Sequence, residues 1–114
     1  MLDKLIDKVF EARNSAHVRH WTTDSYSQHK ALGHFYEDVI DSIDKFIESY
    51  QGTFGQLENA PKQDKDIAAM LRNDLVWLTE NRSTIAKDVP ALENLLDELT
   101  AVYMKTLYKI ENLR

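Results

Sequence analysis

Glycine and proline are scarce in this chain. Its 114 residues include three glycines and two prolines, and four of these five lie in the short segments 52–61 and 88–90. Glycine loses the most backbone entropy on folding, and proline removes a backbone donor, so both weaken regular structure. Their scarcity predicts long, uninterrupted elements separated by a few breaks.

Hydrophobic residues recur at intervals of three and four in four segments, which is the period of an amphipathic helix. The predicted helices cover about 2–21, 27–50, 62–86 and 90–112, and no segment alternates as a strand would. Four helices of this length with short connections predict an all-α fold, an antiparallel four-helix bundle formed by one domain over residues 1–114.

The breaks between these segments contain residues that favour helix ends. Ser25 or Ser27 is a candidate N-cap of the second helix, and Gly52 is a candidate C-cap at its end. Asp88 is a candidate N-cap of the fourth helix, with Pro90 in the first turn.

Composition narrows the function classes. The chain has no cysteine, a net charge of −5 and no apolar run near the length that spans a bilayer. Its amphipathic first segment is not a basic stretch followed by an apolar core, so it does not resemble a secretion signal. We therefore expect a cytoplasmic protein without a membrane partner, and the scattered basic residues argue against a nucleic-acid partner.

The histidines mark the most informative segment, residues 17–52. All four lie between positions 17 and 34, and five carboxylates follow them directly: Glu37, Asp38, Asp41, Asp44 and Glu48. Neutral imidazole and carboxylate are ligands that suit iron and related divalent metals in the absence of cysteine. A metal site is therefore one interpretation of the segment.

Helical geometry places two of the histidines, together with Arg13, on the inner side of the first helix. At about 100° per residue, Arg13, His17 and His20 fall on the apolar side of the first helix. Burying such groups costs free energy unless each is paired or binds a metal. Two interpretations stay open: metal ligation, or a hydrogen-bonded His20 with Arg13 paired to an inward acid such as Asp74.

On the second helix, the same geometry separates the carboxylates from the apolar side. Glu37, Asp41, Asp44 and Glu48 share one face, displaced from the apolar stripe of that helix. Within one chain this face is expected to be solvated. It could be plain surface, a recognition surface for a partner protein or a dimer interface. It would reach the histidines of the first helix more easily if two chains packed face to face.

The segment HWTTDSYSQHKALGHFYEDVIDSIDKFIESYQGTFG resembles the ligand-bearing part of the Dps-type mini-ferritins. In that family a His-Trp pair ends the first helix, a second His opens the next, and an Asp and a Glu follow 15 and 19 residues later. His20-Trp21, His29, Asp44 and Glu48 match these positions. The interval from His20 to His29 is shorter than in the family, and Gly33 stands where the family has an acid.

The resemblance implies a ferritin-like bundle that binds iron or another divalent metal between two chains. His20 and His29 would be ligands from one subunit and Asp44 and Glu48 from its partner, with further or alternative ligands from the remaining candidates, His17, Glu37 and Asp41. A homo-oligomer, at least a dimer, is then expected, and ferroxidase-type activity would be possible.

The whole chain is also similar to a group of short phage-encoded proteins that share the HKAL…FY…ESYQG segment and a TLYKIENL-like final helix. That resemblance implies a different function: a non-enzymatic accessory protein in the host cytoplasm that binds a host or virion protein. The chain has no Gly-x-Ser-x-Gly turn, phosphate-binding glycine loop or cysteine nucleophile, so a hydrolase is not favoured.

Overall fold

A computed structural model of the protein describes residues 1–58 and 66–113. The regular elements in these residues are four α-helices: α1 Leu2–Thr22, α2 Tyr26–Phe54, α3 Ile67–Ala86 and α4 Pro90–Asn112. Over these described residues, the prediction of an all-helical fold with four helices is confirmed. The chain divides into two compact units, Met1–Lys62 and Gln63–Arg114, in which α1 packs on α2 and α3 packs on α4.

The first unit is a helical hairpin. His20 contacts His29 next to the connection, and Leu2 and Tyr50 line one groove at the other end, so α2 runs back along α1. The Ser25 side chain accepts a hydrogen bond of 3.2 Å from the backbone N–H of Gln28. Ser25 is therefore the N-cap of α2, one of the two predicted candidates.

The end of α2 differs from the prediction. The helix continues through Gly52 to Phe54, and its C-cap is Gly55, with a φ of 94°. A φ in this range is accessible to glycine because it has no Cβ. Gly52 has no such requirement, so its prediction as the C-cap is wrong.

The second unit is also a hairpin. Asp66 caps α3, and its side chain accepts a hydrogen bond of 2.9 Å from the backbone N–H of Ala69. The predicted start of this helix near Lys62 lies outside the described residues. At the far end, Lys87 and Asp88 both have positive φ, 52° and 59°.

The chain reverses direction at these two residues, and the backbone of this turn explains why Asp88 does not cap α4. The backbone N–H of Asp88 donates to the carbonyl of Ser83 at 3.1 Å, the bond that closes a Schellman motif at the end of α3. An N-cap needs an extended backbone, and Val89 supplies it with Pro90 as the first helical residue. The N-cap prediction for Asp88 is therefore wrong, whereas Pro90 does lie in the first turn.

Ion pairs connect α3 to α4. The Arg82 guanidinium donates to both carboxylate oxygens of Asp97, at 2.7 and 2.9 Å, and to Glu93 at 3.0 Å. These bonds lower the pKa of Asp97 and raise that of Arg82. Farther along, Arg72 pairs with Glu111 at 2.6 Å. Apart from the half-buried Glu93, these groups are largely accessible to solvent, so the bonds set the register of the hairpin more than its stability.

Few side chains are fully buried. Among the described residues the buried hydrophobic ones are Ile6, Ala16, Ile43, Leu78 and Ala86. Each hairpin therefore keeps large apolar side chains on its surface. The expected antiparallel, ferritin-like bundle concerns how the hairpins associate, and it stays a prediction. No helix within residues 1–58 and 66–113 is long and apolar enough to cross a membrane.

Candidate functional site

His20 and His29 join the two helices of the first hairpin at its closed end. The Nδ1 of His20 lies 2.6 Å from the backbone oxygen of His29, and the Nδ1 of His29 lies 2.7 Å from the backbone oxygen of His20. A carbonyl oxygen only accepts, so each Nδ1 carries the proton that it donates. The two rings stack with their centroids 3.7 Å apart.

A second set of ring contacts extends this cluster along α1. The His17 ring stacks on Tyr36 with centroids 3.9 Å apart and planes inclined by 13°. Trp21 packs against His17 at 4.6 Å, and the Arg13 guanidinium lies 5.5 Å from the centre of the Tyr36 ring. We call Arg13, His17, His20, His29 and Tyr36, together with Trp21, the histidine–aromatic cluster.

The contacts of Arg13 and His20 bear on the two interpretations of the inward-facing groups. His20 is hydrogen-bonded, as the second interpretation required, although its partner is a backbone oxygen. Arg13 donates to the Asn14 side chain at 3.1 Å and forms no ion pair within the described part of the chain. Asp74, the proposed acid, belongs to α3 in the other unit.

The surroundings of His17 disfavour its protonated form. Desolvation lowers its pKa below the ordinary value, and electrostatic interactions with Arg13 and His20 lower it further. A neutral ring stacks on Tyr36 without introducing another cation beside Arg13.

Gly33 allows the close approach of His20 to α2. A Cβ at position 33 would lie 3.1 Å from Cε1 and 3.3 Å from Nδ1 of the His20 ring, which is closer than van der Waals contact. The sequence offers a signal for such a position, because a glycine inside a helix costs about 1 kcal/mol relative to alanine. Sequence reasoning missed this role of Gly33, and it did not single out Tyr36.

The predicted ligands do not all lie together. The structure brings His17, His20 and His29 into one cluster, whereas the four carboxylates lie exposed on α2: Glu37, Asp41, Asp44 and Glu48. Within residues 1–58 and 66–113, no three or more His, Asp or Glu side chains are grouped so that they could hold a metal ion. A site shared between two chains is untested by this single-chain structure and stays a prediction.

These observations define a class: a protein whose described residues form two helical hairpins, with a histidine–aromatic cluster at the closed end of the first. Residues 20–110 match a family of unknown function, DUF5856, and the chain belongs to that family. The matched range contains most of the cluster and all four carboxylates of α2.

A phage protein resembles the chain over nearly its whole length. It is the uncharacterised 14.6 kDa protein of the mobD–ri intergenic region of Enterobacteria phage T4, 28% identical in an alignment of 112 residues. The match covers 93% of this chain and 84% of the relative. The predicted similarity to phage-encoded proteins is thereby confirmed, and the mini-ferritin resemblance stays a prediction. No solved structure matches the chain.

Proposed function

We propose that this protein is a non-enzymatic phage accessory protein that acts by binding another protein. The observation that carries this proposal is the exposure of large apolar side chains on helices that are otherwise well formed. On α1 Trp21 is 68% exposed, and on α4 Leu95 and Val102 are 59% and 61% exposed. Leu95 and Val102 lie seven residues apart on one face of α4, and exposed apolar patches are typical of interaction surfaces.

The histidine–aromatic cluster supports a scaffold role. Both Nδ1 atoms of the His20–His29 pair are used in bonds to backbone oxygens, and His17 is held against Tyr36. These contacts fix the register of α1 on α2 and so make the hairpin a rigid support for its exposed side chains. Rigid surfaces lose less conformational entropy on binding.

The similarity to a phage T4 protein supports a role in phage-infected cells. We expect the protein to act in the host cytoplasm, as a homo-oligomer of at least two chains, on a host or virion protein. The predicted four-helix bundle would be the scaffold that presents the binding surface.

Affinity purification from phage-infected cells tests the proposal. The tagged protein should retain one dominant partner in near-stoichiometric amount after crosslinking, and chelator should not release it. An unrelated helical protein with the same tag and a similar net charge is the control. Recovery of the tagged chain without any host or phage protein above this control would contradict the proposal.

One observation favours a second candidate, metal binding between chains. Histidines that bind metals commonly donate their other ring N–H to a backbone carbonyl or carboxylate, which orients the ligating nitrogen. His20 and His29 both do so through Nδ1, which leaves each Nε2 available. Asp44 and Glu48 of a partner chain would then complete a site for iron or another divalent metal, with His17, Glu37 and Asp41 nearby as further ligands.

Anaerobic titration with ferrous iron tests this candidate. Saturable binding is expected for the wild-type protein and should be lost in His29→Ala and in Asp44→Ala. His34→Ala removes an exposed histidine outside the proposed ligand set and should bind as the wild type does. No uptake above buffer would contradict metal binding.

A further inference from the structure

The first hairpin carries two rows of side chains, most of which lie outside the histidine–aromatic cluster. One row on α1 is aromatic, with Phe10, His17 and Trp21 spaced at i, i+7 and i+11. The other row, on α2, is acidic, with side chains spaced at i, i+4, i+7 and i+11: Glu37, Asp41, Asp44 and Glu48. We call these two rows the aromatic–acidic surface.

Both rows lie on the same side of the hairpin. Leu5 and Phe46 line one apolar groove between α1 and α2, and this groove marks the opposite side. At about 100° per residue, Trp21 lies roughly 160° around α1 from Leu5, and Asp44 lies roughly 160° around α2 from Phe46. The aromatic–acidic surface and the apolar groove therefore lie on opposite sides of the hairpin.

Two members of the aromatic row, Phe10 and Trp21, are exposed, and Trp21 is held by a ring contact. Phe10 is 40% exposed and Trp21 is 68% exposed. The Trp21 ring packs on His17, which in turn is stacked on Tyr36, so its position is supported by contacts with both helices. Tryptophans presented in this way are over-represented among the residues that dominate binding energy.

The acidic row determines the charge of a partner. Its four carboxylates are exposed and form no ion pair with any side chain in residues 1–58 and 66–113. Lys45, at the edge of the row, also forms no ion pair there. A complementary partner must therefore bring positive charges at helical spacing, together with an apolar side chain that covers Trp21.

We propose that the aromatic–acidic surface binds a basic amphipathic helix of a partner protein. Lysine or arginine side chains at intervals of three and four would meet the carboxylates of α2, and the apolar stripe of the same helix would cover Trp21 and Phe10. This inference rests on the proposed function and adds to it the surface used and the chemistry of the partner.

Fluorescence anisotropy with a defined probe tests this. The probe is a labelled 18-residue amphipathic helix of leucine and lysine, and the matched peptide has glutamate in place of lysine. The lysine peptide should bind saturably and more weakly as salt rises, because exposed charges are screened. Trp21→Ala should weaken binding about thirtyfold and Asp44→Lys about tenfold, the sizes expected for a hot spot and a reversed charge.

Two further variants separate the surface from net charge. Glu11→Lys reverses an exposed charge of α1 outside the two rows and should leave binding of the lysine peptide near the wild-type value. Lys45→Glu should strengthen it, because it replaces a cation at the edge of the row with an anion. All variants should keep the wild-type helical circular dichroism, since each replaced side chain is exposed.

Three results would overturn the inference: no binding of the lysine peptide, equal binding of the glutamate peptide, or wild-type affinity in both Trp21→Ala and Asp44→Lys. If a partner is still captured from infected cells in any of these cases, the proposed function stands and only the surface is wrong. Loss of that capture would instead remove the proposed function.

Discussion

Gly33 is the residue that the geometry of the first hairpin constrains most tightly. A Cβ at position 33 would lie 3.1 Å from the ring of His20, and the same ring donates to the backbone oxygen of His29. Any side chain at this position, including the acid that mini-ferritins have there, would require the ring to shift. The presence of glycine at position 33 therefore has a structural explanation in this chain that does not involve a metal.

Replacing Gly33 by alanine tests this packing. Alanine favours a helix by about 1 kcal/mol, but its Cβ would displace the His20 ring and weaken the hydrogen bond that this ring donates to the backbone oxygen of His29, worth about 1 kcal/mol. The two effects nearly cancel, so we expect the free energy of unfolding of Gly33→Ala, measured by urea denaturation, to stay near the wild-type value.

Gly52→Ala is the matched control in the same helix. A Cβ there meets no atom within 4 Å, so only the gain in helix propensity remains. Its free energy of unfolding should rise by about 1 kcal/mol. Equal stabilisation by both substitutions would show that His20 does not need the space above Gly33.

The pKa of His17 predicts how stability changes with pH. Burial and the neighbouring charges hold this pKa below its ordinary value in the folded protein. Between the two values the unfolded chain binds more protons, so the stability present above about pH 6.5 is lost as the pH falls.

His17→Phe keeps a ring on Tyr36 but cannot titrate. Comparing urea midpoints at about pH 7.5 and about pH 5, we expect the wild-type protein to lose more stability on acidification than this variant. A loss of the same size in both proteins would contradict a role for His17.

Sequence reasoning placed Arg13, His17 and His20 on the inner side of α1, and the structure agrees. The bonds that hold His20 and His29 were not predictable, because they join side chains to backbone oxygens of a neighbouring helix. Such bonds depend on how far the connection after Thr22 brings the helix ends together, and periodicity contains no information about that distance.

At the scale of elements, the reversal between α3 and α4 is the most constrained segment. Lys87 and Asp88 take consecutive left-handed conformations, which cost an L-residue about 1–2 kcal/mol because Cβ approaches the following carbonyl. This reversal sets the register that brings Arg82 to Asp97 and Glu93.

Lys87→Gly should relieve this strain. Glycine adopts a φ of 52° without a Cβ clash, although it gives the unfolded chain more entropy. The net expected gain in the free energy of unfolding is about 0.5–1 kcal/mol, measured by thermal denaturation. Lys105→Gly, at an exposed position inside α4, should instead cost about 1 kcal/mol, and a loss at both positions would contradict the strain.

The helices themselves were predictable to within a few residues, because each apolar stripe is long and regular. The errors lie at the ends, at Gly52 and Asp88. In both cases the residue type suited a cap, but the backbone conformation that makes a cap occurs at a neighbouring position. Residue type alone does not distinguish adjacent candidates for one helix end.

At the scale of the whole molecule, the exposed apolar side chains of α4 predict self-association. Leu95 and Leu99 are 59% and 47% exposed. The mass in solution, measured by analytical ultracentrifugation, should be that of a dimer or larger. It should fall in the double variant Leu95→Lys, Leu99→Lys, but not in Ala101→Lys, which alters an exposed position on another side of α4. A wild-type protein that is monomeric at high micromolar concentration would contradict this expectation.

The reciprocal bonds between His20 and His29 also have a consequence for the order of folding. They join residues only nine positions apart, and such local contacts require little loop-closure entropy and form fast. Because α1 and α2 pack on each other within Met1–Lys62, the first hairpin has its own contacts as soon as that length of chain has left the ribosome. It can therefore close while the second hairpin is still being synthesised.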